Sequence, residues 1–288
     1  MWEAEEDNAL TYLTSALLGL VQGVAEFLPI SSSGHLSLME NLLNVAQDDI
    51  LFEVLLHLGT LVAVCVVYWQ DIVDMVRDFF GVLGGLFSKN RRMRVSPSAN
   101  TRLVFMLIVA TLPLVLVIPV KNRVETLYGN TLFIGCALLA TGIILFLSDR
   151  LAQGRKTART ATMADALIVG LSQAVAVVPG LSRSGTTISI GMMRGFDRKF
   201  AVRFSFLLSI PAILGANILE VGDAVRAGLH TELIPIYILG MVISLVSGYF
   251  AIKLVNLLAR KGKFGNFAYY CWAVGIVTII VTLVQKSG

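Results

Sequence analysis

Charged side chains are scarce in this chain. Asp, Glu, Lys and Arg make up 15% of its 288 residues, while hydrophobic residues make up 56%. Soluble domains carry about 25% charge and about 45–50% apolar residues, so a water-solvated globular domain is excluded. Cysteine is scarce too. Cys65, Cys136 and Cys271 all lie in apolar runs, which fits small core residues and not a disulfide framework or a thiolate metal site. The start, MWEAEEDNAL, is acidic and lacks the basic leader of a secretory signal. There is no HExxH helix, no phosphate-cradling Gly-rich Lys-Ser/Thr loop, no Gly-x-Ser-x-Gly elbow and no zinc-type Cys/His spacing. The net charge of +4 belongs to loops and is no nucleic-acid footprint.

What is present is long apolar sequence. Six stretches, roughly 51–69, 102–120, 131–148, 200–219, 234–258 and 267–285, are long and apolar enough to span a bilayer. Two segments, 9–45 and 163–195, differ: each has an apolar arm, a Pro/Gly/Ser-rich break and a shorter second arm. They read as re-entrant helical hairpins. The segment 71–87 is ambiguous between an interfacial amphipathic helix and a short buried one, and the recurrence of Asp71, Asp74 and Asp78 suggests a solvated face.

The two broken segments repeat each other. Residues 19–35 read GLVQGVAEFLPISSSGH and residues 170–186 read GLSQAVAVVPGLSRSGT. At an offset of 151, Gly19, Leu20, Gln22, Val24, Ala25, Ser31, Ser33 and Gly34 meet the same residue type. Basic residues orient the pair. With the N-terminus outside, the inner loops 70–102, 149–162, 194–203 and 259–266 hold 17 of the 23 Lys and Arg, as the positive-inside rule requires. The first hairpin then enters from outside and the second from inside. The expected fold is an all-α polytopic membrane protein of six transmembrane helices plus two re-entrant hairpins in an inverted repeat. It forms one integral domain over 1–288, with halves of about 9–148 and 160–285.

Polar residues at membrane depth mark a site. Gln22 and Glu26 share one helix face. Glu26 is the costlier to bury, and pairing with Arg183 is one way to hold it. Ser31, Ser32 and Ser33 supply hydroxyls, at least one of them as a helix cap, with His35 close by to move a proton. Ser182, Arg183, Ser184 and Thr187 open the second arm, where hydroxyls, backbone N–H groups and a guanidinium suit an anion. Where the copies disagree they complement each other: Glu26 against Val177, Ser32 against Arg183, His35 against Thr186. His57 and His230 carry no assigned role.

The stretches from Gln22 to His35 and from Pro179 to Thr187, supported by Phe52 to Trp69 and Phe204 to Pro211, resemble the bacterial undecaprenyl-diphosphate phosphatase family, also called bacitracin-resistance proteins. The resemblance covers essentially the whole chain. It implies hydrolysis of undecaprenyl diphosphate to the monophosphate and inorganic phosphate, in a multi-pass protein of the bacterial plasma membrane that serves cell-wall synthesis. It implies a divalent cation, magnesium or calcium, near Glu26 and Gln22. Ser32 would be the nucleophile, Arg183 the diphosphate grip, His35 a proton carrier, and Glu26 a base or metal ligand. Gln22, Ser31, Ser33, Ser182, Ser184 and Thr187 would line the substrate. Gln22 departs from the family, in which many members carry a glutamate there; an amide can coordinate a metal but cannot act as a base. The partners implied are the polyprenyl diphosphate lipid and the bilayer, with a homodimer left open. A secondary transporter or lipid flippase with a midplane anion site is the alternative from another class. Single cysteines at Ser33 and Ser88 test the orientation: labelling of Ser88 only from outside would reverse it.

Overall fold

In the computed structural model, the described residues are 10–43, 45, 50–87, 98–152, 154–227, 231–262 and 264–287. The acidic start, the centre of the basic loop 70–102 and His230 lie outside them. Twelve α-helices follow in order: α1 (Tyr12–Phe27), α2 (Ser32–Leu43), α3 (Ile50–Val67), α4 (Trp69–Phe87), α5 (Ala99–Thr111), α6 (Lys121–Glu125), α7 (Thr131–Leu151), α8 (Met163–Val175), α9 (Arg183–Met193), α10 (Arg198–Ala227), α11 (Ile234–Lys261) and α12 (Asn266–Ser287). No β-strand forms among the described residues. Six helices are long and apolar enough to cross a membrane: Ile50–Val67, Ala99–Glu125, Thr131–Leu151, Arg198–Gly222, Ile234–Lys261 and Asn266–Lys286. They coincide with the six apolar stretches. In the second, residues Leu112–Val120 tighten to a 3-10 helix containing Pro113 and Pro119, where missing N–H groups interrupt the α-helical ladder.

Both arms α1 and α8 are too short to span, at 16 and 13 residues, against about 20 needed. The chain leaves α1 at Leu28, which is extended, as a residue before proline prefers. It leaves α8 through Pro179 and Gly180, the latter at φ +85°, a left-handed conformation that glycine adopts without a steric penalty. Helices restart at Ser32 and at Arg183, which are mates at the offset of 151.

The repeat persists down to single hydrogen bonds. Gly34 N–H donates to Ser31 Oγ at 3.3 Å, and Gly185 N–H to Ser182 Oγ at 3.0 Å. The His35 and Thr186 N–H groups donate to the Ser31 and Ser182 carbonyls. Ser31 and Ser33 hydroxyls lie 3.4 Å apart, as do those of Ser182 and Ser184. The two breaks also touch. A side-chain carbon at Gly34 would fall 3.0 Å from Gly180 Cα, and one at Gly185 would fall 3.2 Å from Pro29 Cβ. These two contacts are one contact related by a pseudo-two-fold axis. The same relation governs helix crossings: Gly19 abuts the Gly240 backbone of α11, and its mate Gly170 abuts the Ala110 backbone of α5, the close small-residue packing that helices in lipid use.

Around this centre, α1 packs on α11, α11 on α3, α3 on α10, and α7 on both α12 and α9. A buried cluster that includes Phe27, Phe196, Phe204, Phe206, Leu103 and Met106 fills the space beneath. The helix α4 departs from the sequence reading. Asp71 pairs with Arg203 of α10 at 2.6 Å, and Asp78 accepts from Ser98 Oγ at 2.6 Å and Asn100 Nδ2 at 3.1 Å. These two carboxylates bind neighbours where a solvated face was expected; Asp74 accepts a bond from Gln70 of its own helix.

At the loop end of α8, outside the six spans, Asp165 is fully buried and accepts from Lys156 Nζ at 2.7 Å, Arg194 Nε at 3.0 Å and the Thr162 N–H and hydroxyl. Burial raises its pKa, but these donors outweigh it and hold the carboxyl down at about 2. A depressed pKa contributes stability above the ordinary carboxylate range, and the contribution fades as pH falls through the folded value. Asp165→Asn is expected to destabilise the protein by about 1–3 kcal/mol at pH 7. The gap to wild type should narrow from pH 4 towards pH 2 in thermal unfolding of the detergent-solubilised protein.

Candidate active site

The buried carboxylate of Glu26, on the last turn of α1, is the centre of the polar cluster. Its Oε1 pairs with Arg183 Nη2 at the start of α9. Its Oε2 accepts from Ser32 Oγ at 2.6 Å and from Gln22 Nε2 at 3.2 Å. Ser32 and Arg183, the repeat mates, therefore meet on opposite oxygens of one carboxylate. The helix turn puts Gln22 beneath Glu26, and the two breaks bring α2 and α9 to it from opposite halves.

Glu26, Ser32 and Arg183 face a cavity of about 510 Å³, within the usual range for a ligand site. Glu26, Ser31, Ser32, Ser33 and Arg183 line it, with apolar walls from Leu114, Val115, Ile118, Ile213 and Leu219. The other sequence-derived residues stand back from it. Ser182 caps α9, Ser184 Oγ donates to the Leu28 carbonyl at 3.3 Å, and Thr187 bonds Ser205 Oγ at 2.6 Å. Ser31 caps α2 and does so at φ +73°, a strained conformation for a side-chain-bearing residue that sets the direction in which Ser32 leaves the break.

Neither ring nitrogen of His35 bonds to Ser32. Its Nδ1 meets the Ser31 carbonyl at 2.8 Å and its Nε2 meets Tyr270 Oη at 2.9 Å, with the two rings stacked. Both ring nitrogens are thus engaged, and the base within reach of the Ser32 hydroxyl is Glu26. The cavity also holds residues to which the sequence reading gave no role: His57, Gln173, Glu40, Glu53 and Glu220. The signal for Gln173 was its identity with Gln22 across the repeat. His57 left no comparable signal, since its place depends on how α3 packs.

Among the described residues, no group of three or more His, Cys, Asp or Glu is placed to hold a metal ion. A preformed carboxylate cage is therefore not what this cavity offers. Gln22 Oε1 is buried and without a partner, and it adjoins Glu26. One or two protein oxygens that leave the remaining positions to water and substrate phosphate suit magnesium, so these residues fit a cation carried in with a diphosphate.

The sequence pattern of the family described as "Bacitracin resistance protein BacA" matches residues 15–277. The chain belongs to the BacA family. Proteins named undecaprenyl-diphosphatase align with it end to end. One from Methanosphaera stadtmanae is 38% identical over 96% of this chain and 99% of its own length. Another from Alkaliphilus metalliredigens is 41% identical over 95% of this chain and 100% of its own, and a third from Halothermothrix orenii is 40% identical over 92% and 95%. The BacA pattern thus takes in both breaks, the Glu26 cluster, five of the spans and the first half of the sixth.

Each break is braced from a neighbouring helix. Thr141 of α7 receives the Ser182 N–H at 3.0 Å and donates to the Gly180 carbonyl at 3.1 Å. Cys271 of α12 sits at the matching place by the first break, its thiol directed at the Pro29 carbonyl at 3.7 Å. Thr141→Val strips two buried bonds from the second break without changing shape. It is expected to cost about 1–3 kcal/mol, read as a lowered Tm of the purified protein.

Proposed function

We infer that this chain hydrolyses undecaprenyl diphosphate to undecaprenyl phosphate and inorganic phosphate, regenerating a lipid carrier for cell-wall synthesis. It is a multi-pass membrane protein of the BacA family, and the observation that carries the reading is the single buried carboxylate shared by Ser32 and Arg183 at the wall of a largely apolar cavity. A serine held by a carboxylate is an activated nucleophile. As Ser32 Oγ bonds to the terminal phosphorus, its proton passes to Glu26. The bridging P–O bond breaks, and undecaprenyl phosphate leaves with that bond's electron pair. Water then cleaves the phosphoserine and releases phosphate.

Arg183 supports both steps. Nη2 is committed to Glu26, while Nη1 is buried without a partner and is left to meet the oxygens on which charge develops. His35 holds the Ser31 carbonyl from α2, and so steadies the break that aims Ser32. A divalent cation, magnesium or calcium, held by Gln22 Oε1 and Glu26, would offset the charge of the diphosphate. The apolar walls take the start of the prenyl chain. The basic loops favour a site opening to the outer face of the bacterial plasma membrane, with each helix pair entering and leaving on one side.

Phosphate release from a polyprenyl diphosphate by purified protein tests this. Ser32→Ala is expected to lower kcat about a thousandfold or more, and Arg183→Lys about a hundredfold, with a chelator suppressing wild-type release. No release by wild type, or undiminished release by Ser32→Ala, would sink the mechanism.

A further inference from the structure

The repeat mates Gln22 and Gln173 have diverged in what surrounds them. Both are buried, at 0% and 1% exposure. Four residues beyond Gln22 stands Glu26, which accepts its amide N–H. Four residues beyond Gln173 stands Val177, which accepts nothing. Both the oxygen and the nitrogen of the Gln173 amide are buried without a hydrogen-bond partner, so the assignment of its two ends makes no difference here. Burying an unpaired amide costs stability, and such groups call for an explanation. Gln173 lines the same cavity as Arg183 and Ser32.

The cavity's unpartnered atoms complement a phosphate. Among the described residues, Arg183 Nη1 and Gln173 Nε2 are donors that find no acceptor. They come from α9 and α8, two elements of the second half whose Arg183 and Gln173 side chains line one space. The first half presents the Glu26 carboxylate and the Ser32 hydroxyl. An anion with several oxygens satisfies both free donors at once. An apolar occupant satisfies neither, and a carboxylate on the protein would have been placed there, as Glu26 is beside Gln22, were the need structural.

We propose that Gln173 is a substrate-binding residue whose amide N–H donates to a phosphate oxygen of the lipid diphosphate, beside Arg183. This rests on the hydrolase reading of the cavity. Gln173 takes no proton and forms no covalent bond; it holds the ground state and the transition state alike. Its loss should therefore appear in KM with little change in kcat.

The test pairs kinetics with stability in the full-length protein, using farnesyl diphosphate as the substrate probe. Gln173→Leu keeps the volume and removes the unpaired amide. Expected are a Tm equal to or above that of wild type, a KM raised about tenfold or more, and a kcat within about threefold. A lowered Tm would show that the amide is bonded within the fold, and an unchanged KM would show that it does not meet substrate; either result overturns the assignment. Wild-type release measured alongside separates the cases, since an inactive wild type removes the hydrolase reading itself.

Discussion

A carboxylate buried among apolar helices has to be compensated, and the compensation of Glu26 organises the centre of this molecule. The side chain is 7% exposed, in a chain whose surroundings are largely hydrocarbon. Its charge is met by Arg183 from the other half of the sequence, 157 residues away. Removing either partner would strand the other at a cost of several kcal/mol. The pair thus holds α1 to α9, and through the two breaks it also holds α2 to the same point. Stability and the proposed reaction rest on one contact here, because the carboxylate that balances the guanidinium also accepts the hydrogen bond of the Ser32 hydroxyl.

The backbone makes that contact possible. Short arms that end before Pro29 and Pro179 leave unpaired peptide groups at depth, and such groups are tolerated only where protein or a polar cavity satisfies them. Ser31, Ser182, Thr141 and Cys271 do so. Close approach of Gly34 to Gly180, and of Gly185 to Pro29, brings the two helix starts together. Larger residues at either glycine would push the starts apart and open the gap between Ser32 and Arg183.

Much of this was legible before any coordinates. The offset of 151 predicts that Ser32 and Arg183 are equivalent, and equivalent positions about a two-fold axis meet near it. The six spans follow from hydrophobic length, and the breaks from proline and glycine. Residues whose role depends on a tertiary partner were harder to read. Asp71 and Asp78 look like a wet helix face until Arg203, Ser98 and Asn100 are seen beside them. His35 looks like the serine's base until Tyr270, 235 residues on, turns its ring aside. The tightening of Leu112–Val120 into a 3-10 helix follows from two prolines, yet hydropathy alone describes that stretch as one continuous span.

The matched pair of backbone contacts between the breaks has a further consequence. Three candidate spans lie between α2 and α8, and an odd number of crossings is what would turn the two halves opposite ways across a bilayer. Were each half a separate, identical chain, the same contacts would need that chain to insert in both orientations. Each copy would then have to carry acid, serine and arginine together at equivalent positions, which a single residue per position forbids. Joining the halves in one polypeptide lifts the restriction. The contacts that are blind to side chains remain symmetric, and the positions around them are free to differ, so one asymmetric reaction centre takes the place of two incomplete ones.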